Sequence, residues 1–111
     1  MYHVKLYVKR MQPYNMTIDP GGIDMFRLWG KEFKDNRMVR DTVVCDDTDD
    51  TRTHKIFNAL DAICYEFDLS KPIWLDSTIQ DFRRHDKTRF TQDNFVDSID
   101  FDYLEIHIIE E

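Results

Sequence analysis

The order of apolar and polar residues predicts strands near the start of the chain and at its end. Strict alternation over Tyr2–Lys9 is typical of a strand with one buried face. The runs Met25–Lys34 and Arg37–Cys45 are rich in aromatic and β-branched residues, and they flank Asp35-Asn36, which predicts a hairpin. A second alternating run, Phe101–Ile109, predicts the last strand.

The middle of the chain has helical periodicity instead. Between Thr51 and Phe67 the apolar residues recur at helical spacing, which predicts the principal helix. This apolar stripe consists of Ile56, Phe57, Leu60, Ile63, Cys64 and Phe67. We expect the stripe, from Phe57 onward, to form the centre of the core. A shorter helix is predicted over Ser77–Arg84 with Asp76 as its N-cap, and a single turn over Gln92–Asp97.

These elements together predict one compact α+β domain that spans residues 1–111. Their order in sequence is β-β-β-α-α-β, which favours a mainly antiparallel sheet of about four strands with one principal amphipathic helix packed on one face. The first and last strands have the most regular alternation of apolar residues. We therefore expect them to lie in the same sheet and to be neighbours there.

The composition is that of a packed domain in a reducing compartment. Apolar residues make up 41% of the 111 residues, which is enough for one core. Cys45 and Cys64 lie at apolar positions outside any CxxC pair, which favours buried thiols in the cytoplasm. The charged N-terminus does not resemble a signal peptide, and no apolar run approaches the roughly 20 residues that span a bilayer. We expect no membrane association.

The charge is unevenly distributed along the chain. The net charge of −7 disfavours nonspecific binding to a nucleic-acid backbone. Residues 1–40 carry a net charge of +4, whereas residues 41–80 carry −6 and residues 81–111 carry −5. Regions of opposite sign either pair within the fold or present two surfaces of opposite charge. We expect the basic segment Asp81–Phe90 to pair with the seven acids that follow it.

The acidic stretch Asp46–Asp50 raises the question of a metal site. A calcium loop of the EF-hand type needs a glycine at its sixth position and a glutamate at its twelfth. Counting from Asp46 puts Thr51 and Phe57 at those positions, and counting from Asp47 puts Arg52 and Asn58 there. The stretch instead precedes the principal helix, where side-chain oxygens cap free N–H groups. We predict a helix start and no metal ion.

The sequence contains no recognisable catalytic signature. GxSxG, GxGxxG and the P-loop pattern are all absent, and the four histidines lack the spacing of zinc ligands. His3 and His107 fall on the polar sides of the first and last strands, near Glu105 in the second of these. A His/Glu pair there would allow acid–base chemistry, which leaves a small enzyme as one alternative. We expect no cofactor.

The polar side of the predicted sheet supplies the candidate binding surface. Strand alternation places aromatic and basic residues there, and the candidate site consists of Tyr7, Arg27, Trp29, Lys31 and Arg40. Aromatic and cationic residues on an open sheet are found in modules that bind single-stranded nucleic acids, but no RNP-type motif is present. Protein interfaces are also enriched in aromatic residues and arginine.

The leading hypothesis is therefore a small cytoplasmic protein of bacterial type, an accessory or regulatory module that is not an enzyme and acts through protein–protein contact. A homodimer is compatible with this hypothesis. One alternative is an acidic decoy, in which the Asp46–Asp50 cluster and the acids of the C-terminal segment mimic the phosphates of a nucleic acid and block a nucleic-acid-binding protein. Evenly spaced carboxylates along one exposed ridge would support the decoy, whereas acids paired with Arg or Lys would count against it.

Overall fold

The computed structural model describes residues 6–9, as strand backbone, and residues 25–111. These ranges contain the strands β1 (Leu6–Lys9), β2 (Phe26–Lys34), β3 (Arg37–Asp46), β4 (Lys87–Phe90) and β5 (Tyr103–Glu110), and the helices α1 (Arg52–Glu66) and α2 (Asp76–His85). A single 3₁₀ turn, Gln92–Asn94, follows β4. The strands form one antiparallel sheet in the order β1-β3-β2-β5-β4. The predicted α+β class is confirmed.

The β2–β3 hairpin forms the centre of the sheet. Its two turn residues, Asp35 and Asn36, have φ angles of 54° and 63°, as a two-residue type I′ turn requires. On the outer edges of the hairpin, β1 pairs with β3 and β5 pairs with β2. The first and last strands therefore lie in the same sheet, as predicted. The prediction that they are neighbours was wrong, because the hairpin lies between them.

A β-bulge changes the register of the hairpin shortly after the turn. Phe33 pairs with Met38, but Glu32 pairs with Arg40, so that Val39 is an extra residue on β3. Side chains alternate between the two faces of a strand. One extra residue therefore places each later side chain of β3 on the face opposite to the one it would occupy without the bulge.

β4 was not predicted, because the sequence pattern indicated a helix and a turn across Asp81–Phe90. Helix α2 is followed by Asp86, whose φ of 53° lies in the left-handed region that commonly terminates helices. Beyond Asp86 the chain extends along β5, where Thr88 and Phe90 are buried and Lys87 and Arg89, which alternate with them, are exposed. The segment is a short edge strand of the sheet.

Helix α1 begins after the acidic stretch, as predicted. Thr51 is its N-cap and accepts a hydrogen bond from the backbone N–H of His54 at 3.2 Å. Its buried residues are Ile56, Ala59, Leu60, Ile63 and Cys64. Phe67 is buried beyond the helix end, but Phe57 is 45% exposed, so that the expectation of a central Phe57 was wrong. Its ring instead meets the edge of Trp74, with centroids 6.0 Å apart.

Helix α1 approaches the sheet closely at Gly30, in the middle of β2. A Cβ atom added at Gly30 would lie only 2.7 Å from Cγ2 of Ile63. Glycine therefore allows the buried Ile63 side chain to pack directly on the strand backbone. The main hydrophobic core surrounds this contact, between the helices and one face of the sheet.

Helix α2 begins one residue earlier than predicted, at Asp76. Leu75 occupies the N-cap position, and the Thr78 hydroxyl both accepts from the Leu75 N–H (2.8 Å) and donates to the Leu75 carbonyl (2.6 Å). Trp74 anchors the segment before α2, since its ring meets the rings of Phe82 and Phe90 edge-on at 5.6 and 5.0 Å. None of the helices within residues 25–111 is long and apolar enough to cross a membrane.

Truncation of Leu60 to alanine should destabilise the protein far more than truncation of Phe57. Leu60 is buried beneath α1, so Leu60→Ala removes buried area and leaves a cavity, at a cost on the order of 2–5 kcal/mol. Phe57→Ala acts on an exposed ring of the same helix, and we expect a loss below about 1 kcal/mol. Chemical denaturation of both variants measures the difference. Equal losses of unfolding free energy in the two variants would contradict the burial of Leu60 and the exposure of Phe57.

Candidate functional site

The sheet has a second face, opposite to the helices, which carries the candidate site. This face is polar along β5 and β4, whereas around Val43 and Cys45 of β3 it is apolar and buried. We call this surface the outer sheet face. The cross-strand register places on it Arg27, Trp29 and Lys31 from β2, Tyr103, Glu105 and His107 from β5, and Lys87 and Arg89 from β4. Four strands therefore contribute adjacent side chains, since Asp41 of β3 lies opposite Lys31.

Glu105 lies at the centre of this face, between two cations. Its Oε2 is 2.7 Å from Nζ of Lys31, and its Oε1 is 3.1 Å from Nε of Arg89. The Glu105 side chain is only 7% exposed. Burial raises the pKa of this carboxyl, but the hydrogen bonds from Lys31 and Arg89 outweigh burial, and the pKa is lower than its ordinary value. Glu105 is therefore an ionised, buried carboxylate.

Aromatic rings hold the cations in fixed positions. Lys31 Nζ lies 4.0 Å from the centroid of the Trp29 ring, and the Trp29 indole N–H donates to Oδ2 of Asp41 at 2.9 Å. The guanidinium of Arg89 lies 4.5 Å from the centroid of Tyr103. Such contacts between cations and ring faces are attractive and restrict the conformations of both partners. These contacts therefore restrict the side chains of Lys31 and Arg89 in the free chain.

His107 lies opposite Trp29 in the register of β2 and β5. Burial lowers the pKa of its imidazole, and the nearby charges of Lys31 and Lys87 lower it further. The imidazole is therefore neutral at neutral pH, able to donate from one ring nitrogen and accept at the other.

Two of the predicted site residues are buried within the outer sheet face. Arg27 donates from Nε to Oε1 of Glu110 at 2.6 Å and from Nη1 to Sγ of Cys45 at 3.3 Å. Arg27 and Lys31 are both buried, and each forms an ion pair with a carboxylate of the same chain. Trp29 is half-buried and keeps part of its ring accessible.

Arg40 lies on the other face, and its predicted place in the site was wrong. Without a bulge, the two-residue turn would pair Arg40 with Lys31, whereas the bulge pairs it with Glu32. There its guanidinium bonds Glu32 and the carbonyl of Phe67, both at 2.9 Å, and it lies 4.4 Å from the Phe67 ring. The side chain therefore caps the end of α1. Tyr7 pairs with Cys45 in the register, and its side chain is outside the described part of the structure.

Sequence periodicity did not predict a place in the site for Lys87, Arg89 or Tyr103. Lys87 and Arg89 were assigned to a helix and a turn, although these two polar residues alternate with Thr88 and Phe90, which are buried. That alternation over four residues was the available signal. Tyr103 was placed on the polar side of its strand, but nothing in the sequence indicated that Arg89 lies over its ring.

The acidic stretch Asp46–Asp50 forms a hydrogen-bonded turn before α1. Asp46 is buried, and its Oδ1 accepts from the N–H and the hydroxyl of Thr48 at 2.8 and 2.6 Å. Asp50 accepts from the N–H of Thr51 at 2.8 Å and lies 2.9 Å from Nδ1 of His54. The predicted helix start is confirmed. Among the described residues, no group of three or more histidines, cysteines or acids is arranged to hold a metal ion.

Comparisons with known proteins give no relative for this chain: no protein-family model, curated protein or solved structure matches it. The assignment of a function therefore rests on the geometry of the outer sheet face.

Replacement of Glu105 by glutamine should lower the free energy of unfolding, by an amount that depends on pH. Glu105→Gln leaves the buried ammonium of Lys31 without its carboxylate, and we expect a loss on the order of 3 kcal/mol near pH 7. Because the folded-state pKa of Glu105 is lowered, the stabilisation from its charge is present above the ordinary pKa of 4.5 and is lost as the pH falls through the folded-state pKa. The difference between variant and wild type should therefore shrink in acid.

Asp61→Asn provides the matched control, because Asp61 forms an exposed pair with Lys71 at 3.3 Å. Exposed ion pairs contribute little, so this variant should lose no more than about 0.5 kcal/mol at any pH. Urea denaturation of both variants and the wild type, at pH 7 and in acid, measures the loss in the free energy of unfolding at each pH. A pH-independent effect of Glu105→Gln would contradict the role of its charge.

Proposed function

We propose that this chain is a non-catalytic accessory or regulatory module that binds a protein partner through the outer sheet face. The observation that carries the proposal is the arrangement of Arg89, which is 59% exposed and yet held between Tyr103 and Glu105. An arginine whose side chain is already ordered loses little conformational entropy on binding. Arginine and aromatic residues are also those that contribute most to protein interfaces.

The charges of the face favour a partner with acidic groups around an apolar centre. Lys87 and Arg89 project from β4 into solvent, while the charge of Lys31 is balanced by Glu105 beneath them. An acidic residue of the partner would meet these exposed cations, and an apolar residue would cover the accessible parts of Trp29 and Tyr103. Two exposed cations on a chain of net charge −7 give weak electrostatic attraction for a phosphate backbone, which argues against nucleic acid.

The two alternative functions have less support. An acidic decoy would present unpaired carboxylates in a row, whereas Glu105, Glu110 and Glu111 each pair with a lysine or an arginine. For an enzyme that uses Glu105 and His107, the commitment of Glu105 to two cations leaves it a poor base. His3, the third residue of that hypothesis, lies outside the described residues.

We assign the module to the cytoplasm on the state of its cysteines. Cys64 is buried in the helix-side core, and burial raises the pKa of its thiol to about 12, so that the reactive thiolate does not form at neutral pH. Cys45 is buried beside Arg27 on the opposite face of the sheet. Buried thiols on opposite faces are suited to a reducing compartment.

Site-specific photo-crosslinking in the native host tests the proposal. A photoreactive phenylalanine analogue at position 87 lies at the edge of the outer sheet face, and it should crosslink to a discrete protein partner. The same analogue at position 65 is the control, because Tyr65 is highly exposed on α1, in the helix layer. Arg89→Glu should abolish the adduct from position 87, since it reverses the exposed charge at the centre of the proposed contact.

Adducts that are the same from both positions, or that persist in Arg89→Glu, would contradict the outer sheet face as the contact surface. Lys55→Glu on α1 controls for the change in net charge, and it should leave the adduct from position 87 intact.

A further inference from the structure

Helix α2 carries an exposed stripe that is complementary to itself. Asp76, Ile79 and Arg83 are spaced three and four residues apart and therefore lie on one side of the helix. Ile79 is 36% exposed, and Leu75 beside Asp76 is 39% exposed. Neither Asp76 nor Arg83 forms an ion pair or side-chain hydrogen bond with any of the residues described. The stripe thus has an acid at one end, a base at the other and the apolar side chain of Ile79 between them.

This stripe borders an open apolar groove between the two helices. The groove has a volume of about 310 Å³, with Ile56, Trp74 and Phe82 among its lining residues. Phe57 of α1 and both Ile79 and Arg83 of α2 also line the groove. The helices run in opposite directions, because Arg52 at the start of α1 bonds Asp86 at the end of α2 at 2.8 Å. Large apolar side chains in the helix layer are thus left in contact with water.

We propose that a second copy of this chain covers the groove, with the two α2 helices packed antiparallel around a two-fold axis beside Ile79. The axis falls midway between Asp76 and Arg83, so that each Asp76 faces the Arg83 of the other copy and the two Ile79 side chains meet. A two-fold interface requires this self-complementarity, because the same patch is used by both copies. A different partner protein would not require acid and base to be placed symmetrically about an apolar centre.

The helix dipole alone does not account for the stripe. An acid in the first turn and a base in the last turn each stabilise a single helix, which explains the signs of Asp76 and Arg83. It does not explain why Ile79 between them and Leu75 just before Asp76 are exposed, near the exposed ring of Phe57. Exposed apolar side chains that border a groove and are flanked by charged groups are typical of an interaction surface.

The dimer is independent of the proposed partner contact, because α2 and the outer sheet face lie on opposite sides of the sheet. A stable interface covers about 800 Å² of each partner. One face of the ten-residue helix α2 is too short to supply such an area, so the neighbouring rim of α1 must join the interface. A dimer formed in this way leaves both outer sheet faces free and presents the partner-binding surface twice.

Sedimentation equilibrium of the full chain, with a charge swap across the proposed interface, tests the dimer. The wild type should be a dimer that dissociates in the micromolar range. Asp76→Arg and Arg83→Asp should each weaken association at least about tenfold, which corresponds to about 1.4 kcal/mol. The double variant should return to within about threefold of the wild type, since both ion pairs are then re-formed in reverse. Ile79→Glu should abolish association.

Asp81→Arg is the matched control, because Asp81 is an exposed acid of α2 that lies off the stripe, and it should leave the dimer unchanged. All substituted residues are exposed, and circular dichroism confirms that each variant is folded. The double variant opposes the helix dipole at both ends, so its recovery cannot come from a more stable helix. A monomeric wild type up to about 0.5 mM, well above the micromolar range expected for this interface, would overturn the proposal. A double variant as weak as the single variants would also overturn it.

Discussion

The contact between Gly30 and Ile63 determines how the two layers of this protein meet. Gly30 lies in β2, the central strand of the sheet, and Ile63 lies in α1 directly above it. Because no side chain separates them, the helix packs against the strand backbone and its apolar stripe reaches the neighbouring strands. The helix layer thereby packs on one face of the sheet, and the polar residues of β2, β4 and β5 lie on the other face.

The outer sheet face separates structural from accessible charges. Arg27 and Lys31 are buried and neutralise carboxylates within the sheet, which fixes the strands and orients the residues above them. Arg89 extends outward from the same network and is the residue best placed to meet a partner. The buried pairs therefore give the exposed guanidinium a defined position, which a mobile lysine or arginine on an isolated strand would lack.

Sequence periodicity predicted the elements better than it predicted the faces. The apolar stripe of α1 is long and regular, and it predicted the helix and, apart from Phe57, its buried side correctly. The face of Arg40 depends on one extra residue, Val39, and a single bulge is not visible in apolar alternation. The site was therefore predicted in part, since Trp29 was placed correctly while Arg89, on a four-residue strand with little periodicity, was not.

A double-mutant cycle between Gly30 and Ile63 tests whether their contact sets the distance between the layers. An added methyl group normally favours a strand over glycine, but Gly30→Ala should here cost about 1–3 kcal/mol because the methyl collides with Ile63. In an Ile63→Ala background the same change should be neutral or stabilising, by up to about 1 kcal/mol, because the space is then free. Denaturant unfolding of the four proteins measures the cycle. Equal losses from Gly30→Ala in both backgrounds would show that the helix does not rest on this glycine.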